Sequence, residues 1–393
     1  MTDPLGQSQV LPYLRGLHQL GYEFHLISFE KKDRFETHGD TIQAICDDSN
    51  ITWHPQHFEL DRGIKAALSR IRIMKRQART LQKEHNFDLT HCRSLIPAMT
   101  GMLLKRKFGV PFLFDIRGFW PDERVDGGLW DMSNWKYKRI YNYFKRKETR
   151  AFRNCSAAIS LTENGKQEIE SWDRLQDKMP RVDVIPCCVD LDLFDPSTIK
   201  TEDQTFLRKQ LNIDSDAFVL GYVGSIGTWY MLQEMLNYFK ELKAQKENAL
   251  FLFVSKDPKE KIMTIARTLN VDEKSIRVTY SLHNQIPLHI SIFDQSVFFI
   301  RPTYSKIASS PTKQGEIMAM GVPIVCNAGI GDTDRIVKEH KAGSVIESFD
   351  NDSYSKAIEP DWDRESTMEG ARNVYSLEEG VKKYADIYQF IHG

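Results

Sequence analysis

Ser309–Gly331, SSPTKQGEIMAMGVPIVCNAGIG, is the stretch from which the rest of the chain is read. It runs loop, helix, strand, turn. Ser309 and Ser310 are residues that cap a helix N-terminus, and Pro311 suits the first helical position. Gly321 supplies the stop. Val322–Cys326 is a short apolar strand, and Asn327–Gly331 is a flexible turn. The helix carries a carboxylate, Glu316, in its second turn and Lys313 near its start. Free N–H groups, a positive dipole end and a lysine together suit a phosphate. A carboxylate accepts hydrogen bonds from vicinal hydroxyls, as on a ribose. The same residues equally suit a capped amphipathic helix packed on a sheet, and spacing alone does not separate the two readings.

A chain of 393 residues is too long for one core and suits two domains. Fractions of 41% hydrophobic and 27% charged residues are those of a soluble globular protein. A net charge of −1 argues against nucleic-acid binding. Two segments are strongly basic. Arg62–Arg79 holds seven Lys or Arg and no acid, and Lys136–Arg153 holds eight against Glu148 alone. These runs read either as solvated helix faces or as a surface drawn to anionic lipid. Cys46, Cys92, Cys155, Cys187, Cys188 and Cys326 form no CxxC pair and are expected to be reduced and buried. No signal peptide is visible and no apolar run is long enough to span a bilayer, so the cytoplasm is the expected compartment. The basic helices leave room for peripheral attachment at the inner face of the cell membrane.

The N-terminus departs from the usual order. Met1–Gly6 reads as loop and Gln7–Leu20 as a helix, ended by Gly21, before the strand Glu23–Phe29. A doubly wound domain normally opens with a strand, a glycine turn and a helix. That first strand is absent here, through a shortened N-terminus or a gap at the centre of the sheet, and we favour the former. Further on, Arg62–Glu84 is a long basic amphipathic helix with Ile64, Leu68, Ile71 and Met74 in one stripe. Phe87–Cys92, Val110–Ile116, Ala157–Leu161 and Val182–Ile185 read as strands, and Leu95–Phe108 and Trp135–Phe152 as helices. Arg117–Arg124 reads as a loop. The pattern restarts after Pro196 with strands at Phe218–Val223, Leu250–Val254, Ile276–Tyr280, Val297–Ile300, Val322–Cys326 and Gly343–Ile346, and Leu377–His392 is a final helix. Strands alternate with helices in both halves, which gives α/β layered domains.

Several of these stretches resemble one family. Glu316-Ile-Met-Ala-Met-Gly-Val-Pro-Ile-Val resembles the EAMAxGxPVV segment of retaining glycosyltransferases of family 4. DPLGQSQVLPYL resembles the second half of that family's opening, IPCCVDLDLF its interdomain passage IPNGVDxxxF, and FDIRGFWPDER is a further specific part. The resemblance implies the GT-B fold: two Rossmann-like doubly wound α/β domains facing across a cleft, here without the first strand of the N-terminal domain. It implies an acceptor-side domain over 1–195, a nucleotide-sugar-binding domain over 196–372, and a C-terminal helix over 373–393 that crosses back. In the family the equivalent of Glu316 holds the donor ribose. A second Glu eight residues earlier contacts the donor sugar, and here that position is Ala308.

Gly224-Ser225-Ile226-Gly227 follows a strand and opens a helix, as a backbone phosphate cradle does or as a plain tight turn does. The family's Arg and Lys around this turn are missing, with Ser225 and residues near Thr228-Trp229 in their places. Charge for a diphosphate then falls to Arg301 and Lys313, with Lys256 and Lys306 behind them. Strand ends gather ligands in doubly wound folds, which points to Gly6–Ser8, Arg93-Ser94, Arg117-Gly118 and Thr162-Glu163. Arg117 stands where many family members carry His; it either orients a sugar hydroxyl or leaving phosphate, or pairs with Asp115 to hold its loop. Asp122, Glu123 and Arg124 either bind acceptor hydroxyls or stiffen the same loop. Trp120 is either a sugar platform or packing. The expected set is therefore Arg117, Arg301 and Lys313 as catalytic, and Gly6, Gly224, Ser225, Gly227, Lys256, Ser310, Thr312 and Glu316 as donor-binding. Arg93, Asp122, Glu123 and Arg124 are the acceptor-binding set.

The resemblance implies transfer of a sugar from a nucleotide sugar to a glycan or lipid-linked saccharide, with retention and without an enzymic nucleophile, in cell-surface polysaccharide synthesis. No metal and no cofactor beyond the nucleotide-sugar co-substrate is expected, because no HExxH or clustered His/Cys ligands occur. The rivals are a sugar-nucleotide isomerase or hydrolase on the same fold, and a non-catalytic binding or scaffold relative. A nicotinamide-dependent dehydrogenase is disfavoured, since no GxGxxG turn followed by a ribose-binding acid is present.

Overall fold

The computed structural model describes residues 1–58 and 64–393, with 58, 64, 65 and 67 described by backbone alone. The chain divides into two compact units, Met1–Pro186 with Leu377–Gly393, and Cys187–Ser376. Each is an α/β unit built on parallel strands.

In the first unit β1 (Phe24–Lys31) pairs in parallel with β2 (Ile51–Phe58). A separate ladder holds β3 (Thr90–Arg93), β4 (Phe112–Asp115), β5 (Ala157–Ser160) and β6 (Arg181–Val184), in that order and all parallel. β4 and β5 are buried throughout, which is why they read as unbroken apolar runs. No described strand joins β1 to β3, so the sheet is divided where a doubly wound domain would carry its first strand. The strand β2 and the helix Lys32–Asp48 before it were not expected from the sequence. Pro55 speaks against a central strand, but among the described residues β2 pairs on one side only, and an edge strand tolerates a missing N–H.

The opening also differs from the expected loop and single helix. Two helices, Pro4–Gln9 and Leu11–Gln19, meet at Val10. Pro4 and Pro12 each sit in a first turn, where proline starts a helix and cannot continue one. Likewise Arg117–Arg124 is not all loop: Trp120–Asp126 is helical, with Pro121 in its first turn. The long basic helix runs Ile64–His85; Arg62, its expected start, lies outside the described residues. Its counterpart Trp135–Asn154 begins on an Asn134 cap. The last helix, Leu377–His392, packs on Leu11–Gln19. Gly16 admits Val381 there, because an added Cβ would stand 2.6 Å from its Cγ2. Tyr13 and Tyr384 meet edge to face at 5.3 Å.

The second unit is one six-stranded parallel sheet. Its strands are β7 (Val219–Val223), β8 (Leu250–Val254), β9 (Ile276–Thr279), β10 (Gln295–Phe298), β11 (Ile324–Asn327) and β12 (Gly343–Ile346). They lie in the order β12-β11-β10-β7-β8-β9. The order reverses between β7 and β10, and ligands of such sheets bind outside the carboxyl ends at that point. Tyr238, Phe239, Phe251 and Phe253 are among the fully buried side chains that fill the core. All six cysteines are buried as thiols outside any disulfide. Among the described residues no helix is long and apolar enough to cross a membrane.

Candidate functional site

In the second unit, Gly224 follows the last residue of β7, at the reversal point. Its φ is 108°, a conformation that favours glycine, and a Cβ there would lie 3.3 Å from the Lys313 Nζ. Lys313 belongs to the helix Thr312–Ala319. It is buried, and its Nζ has no hydrogen-bond partner. The ammonium instead lies over two aromatic faces, 3.7 Å from the ring centre of Tyr230 and 3.9 Å from that of Tyr222. Tyr222 is fixed in turn by its hydroxyl, which donates to the Ser225 carbonyl at 2.8 Å. Burial holds the Lys313 pKa well below the ordinary lysine value, and nearby Glu316 opposes that shift.

Glu316 is buried to 7% exposure. Its Oε1 lies 3.1 Å from the Nε2 of half-exposed His283. That hydrogen bond, with the charges of Glu316 and Asp190, raises the histidine pKa against a lowering by burial. The helix sits close against its surroundings because Gly315 has no side chain: a Cβ would come within 2.8 Å of Val189 and 2.9 Å of Tyr375. The expected serine cap is not made. Pro311 stands at the cap position, and the Ser310 hydroxyl accepts from the Cys187 N–H at 3.2 Å.

The glycine turn is not an open cradle either. The Ile226 N–H donates to the Asp257 carboxylate at 2.7 Å, the Gly227 N–H to Ser225 Oγ at 3.4 Å, and the Gly224 N–H to the Val254 carbonyl at 2.9 Å. A carboxylate from the exit of β8 thus occupies the position expected for a phosphate. Lys256 beside it is exposed, as is Arg301 at the exit of β10. Lys306 is buried with its Nζ 3.9 Å over the Trp229 ring. Thr312 begins the helix and is half-buried.

In the first unit the structure gathers Arg93 and Arg117 around Asp115 at the ends of β3 and β4. Asp115 is fully buried. Tyr384 donates to its Oδ2 at 3.1 Å; Arg93 lies at 3.4 Å, His91 Nε2 at 3.5 Å and Arg117 at 3.9 Å. Burial pushes its carboxyl up, but Arg117, the His91 hydrogen bond and Arg93 outweigh it and hold the pKa at about 2. His91 Nδ1 pairs with the Tyr388 hydroxyl at 2.7 Å. Ser94 (φ 80°) and Arg117 (φ 54°) both have left-handed backbones, a strain that clusters at functional sites.

The other expected residues fall into structural pairings. Asp122 is buried and accepts from the Tyr141 hydroxyl at 2.8 Å and from Lys145 at 2.9 Å. Arg124 covers the Trp120 ring at 4.9 Å, and Trp120 packs edge-on against Trp130 and Phe144. Glu123 is half-buried. Gly6 lies inside the first helix, where a Cβ would come within 2.6 Å of the Met1 backbone; it is close-packed and not at a strand end. His283, Tyr222, Tyr230, Asp257 and Tyr384 were not singled out from the sequence, because their roles depend on partners far away in the chain.

Residues 7–193 match the model of Glycosyltransferase Family 4, and residues 203–362 match that of Glycosyl transferases group 1. No curated protein matches the chain. Among solved structures, a glycosyltransferase from Rickettsia africae is 18% identical with a TM-score of 0.63, over 99% of this chain and 96% of that one. HepE of Anabaena in complex with UDP-glucose is 13% identical with a TM-score of 0.69, over 99% and 97%. Sucrose-phosphate synthase from Thermosynechococcus elongatus is 15% identical with a TM-score of 0.65, over 93% and 98%. At these identities the likeness shows the fold alone.

Proposed function

We propose, for a chain whose two matched domains are those of a GT-B glycosyltransferase, that it moves a sugar from a nucleotide-sugar donor to a glycan or lipid-linked acceptor with retention of configuration. The carrying observation is the Lys313 ammonium: buried, without a hydrogen-bond partner, beside the glycine turn and on the same helix as Glu316. A buried charge is costly unless paired, and an anion supplies the pair. In this reading the second unit binds the donor, with Glu316 accepting from the ribose hydroxyls and Lys313 facing the diphosphate, supported by Arg301 and Lys256. As the bond between the sugar and the phosphate oxygen breaks, its electrons pass to that oxygen, and a fixed cation stabilises the growing charge. The acceptor hydroxyl forms the new bond and gives its proton to the departing phosphate, so no enzymic nucleophile is needed. Arg93 and Arg117 of the first unit are assigned to the acceptor.

HepE of Anabaena holds UDP-glucose, which makes UDP-glucose the first donor to try. The test is release of nucleotide diphosphate from UDP-glucose and from GDP- and ADP-sugars, with and without saccharide acceptors, followed by product stereochemistry. No turnover with any donor, or an inverted product, rejects the reading. The basic helices add a proposal of peripheral attachment to anionic membrane. Trp135 is exposed, with Lys136 and Arg139 near its ring. One observation favours the non-catalytic alternative: Asp257 already fills the turn where a phosphate would lie. Calorimetry separates the two, since a scaffold that does not use nucleotides shows no heat with UDP, GDP or ADP.

A further inference from the structure

We propose that His283 is a positioning residue that fixes the Glu316 carboxylate for a ribose, and so sets the preference of this site for ribonucleotides over 2′-deoxyribonucleotides. The proposal rests on the reading of the second unit as the donor-binding unit. His283 opens the turn His283–Gln285 that follows β9. Its Nε2 lies 3.1 Å from Glu316 Oε1, and its ring lies 5.6 Å from the ring of Phe194. Glu316 itself is almost fully buried. An ionised carboxylate has about four lone-pair sites. With one taken by the imidazole on Oε1, Oε2 remains to accept from a pair of hydroxyls. The histidine thus fixes the torsion of a carboxylate that would otherwise rotate, and preorganisation of this kind raises affinity by lowering the ordering cost.

The charged groups that face the imidazole are Glu316 from the helix Thr312–Ala319 and Asp190. The Glu316 charge also acts on Lys313 of the same helix. Both carboxylates favour the imidazolium, so His283 keeps its charge to a higher pH than an ordinary histidine. The added positive charge is present at low pH and lost as pH rises through that raised value.

The experiment is calorimetric binding of UDP, GDP and ADP and of their 2′-deoxy forms to the full chain, between pH 6 and 8.5. The wild type is expected to prefer one ribo form over its deoxy form by roughly tenfold, the size of one hydrogen bond to a charged group. His283→Ala is expected to bring that ratio close to one, weakening the deoxy form, which keeps its 3′-hydroxyl, less than the ribo form, with an unchanged Tm to show that the fold is intact. His283→Gln keeps a neutral donor; it should retain much of the ratio and lose the part of the pH dependence that the wild type shows beyond ligand titration. A wild type that binds none of the six overturns the donor reading and this inference with it. A wild type that binds but does not discriminate, or a His283→Ala variant that discriminates as before, overturns this inference alone.

Discussion

Asp115 and Lys313 are both buried ionisable groups near strand ends, one in each unit, and their surroundings differ. Asp115 is met by Arg93, Arg117, His91 and Tyr384, so its charge is balanced within the protein. Lys313 is met by the faces of Tyr222 and Tyr230, with no hydrogen-bond acceptor on its Nζ. A balanced network adds rigidity, whereas an unbalanced cation lowers stability and leaves a charge available to a ligand. Removing each group should therefore have opposite consequences for folding and for activity.

Asp115→Ala should show the largest effect. It leaves the partly buried Arg93 and Arg117 guanidinium groups without the fully buried carboxylate that balances them, at a cost of about 3–5 kcal/mol in urea unfolding. The sign with pH follows from the carboxyl held at about 2 against 3.8. The stability it supplies is present above 3.8 and lost as pH falls from there towards 2. A variant less than about 1 kcal/mol weaker would show that the network is not structural.

Lys313→Met should do the reverse. Turnover should drop by roughly 10²–10³, while the Tm holds or rises, since a buried ammonium without a partner is removed. Parallel losses of Tm and turnover would erase the contrast. Glu316→Ala should come next. Nucleotide affinity should weaken by about tenfold or more, as for a hydrogen bond to a charged group, with a smaller change in kcat.

The smallest effect belongs to a histidine cluster in the first unit. His25 Nδ1 lies 3.0 Å from His54 Nε2, and the His85 ring lies 4.1 Å from that of His25. Burial foremost, then the neighbouring histidines, lowers the pKa of His25 and His54, with Glu23 and Glu84 opposing. The unfolded chain takes up those protons first. Stability should be full above 6.5, the ordinary value, and fall as pH drops through the lowered values. Thermal melts from pH 7.5 to 5 should show the decline, and His25→Gln should flatten it.

Long, strongly patterned elements were legible in the sequence. Leu95–Phe108 and Leu377–His392 run between the residues expected, and the strand Leu250–Val254 likewise. The larger departures came around proline, at Pro4, Pro12 and Pro121 and in the unexpected strand that holds Pro55, where the same residue starts a helix, ends one or sits in an edge strand; other ends shifted by a few residues, as in β3, expected over Phe87–Cys92 and found over Thr90–Arg93. In the site, Lys313 and Glu316 could be named because they share one short helix. His283 and Asp257 could not, because their partners Glu316 and Ile226 are distant in the chain and are brought near only by the sheet. Asp122 reads from sequence as a loop acid that binds an acceptor or stiffens its loop, and only Tyr141 and Lys145 on another helix show what it engages.

The division of the first unit's strands has a kinetic consequence. A pair of strands on its own is marginal in water, and among the described residues β1 and β2 form a ladder only with each other. That pair should detach in sub-global openings before the four-stranded ladder does, as a cooperative block of its own. Amide protons of Leu26 and Ile27 would then exchange with deuterium well ahead of those of Leu113 and Ile159.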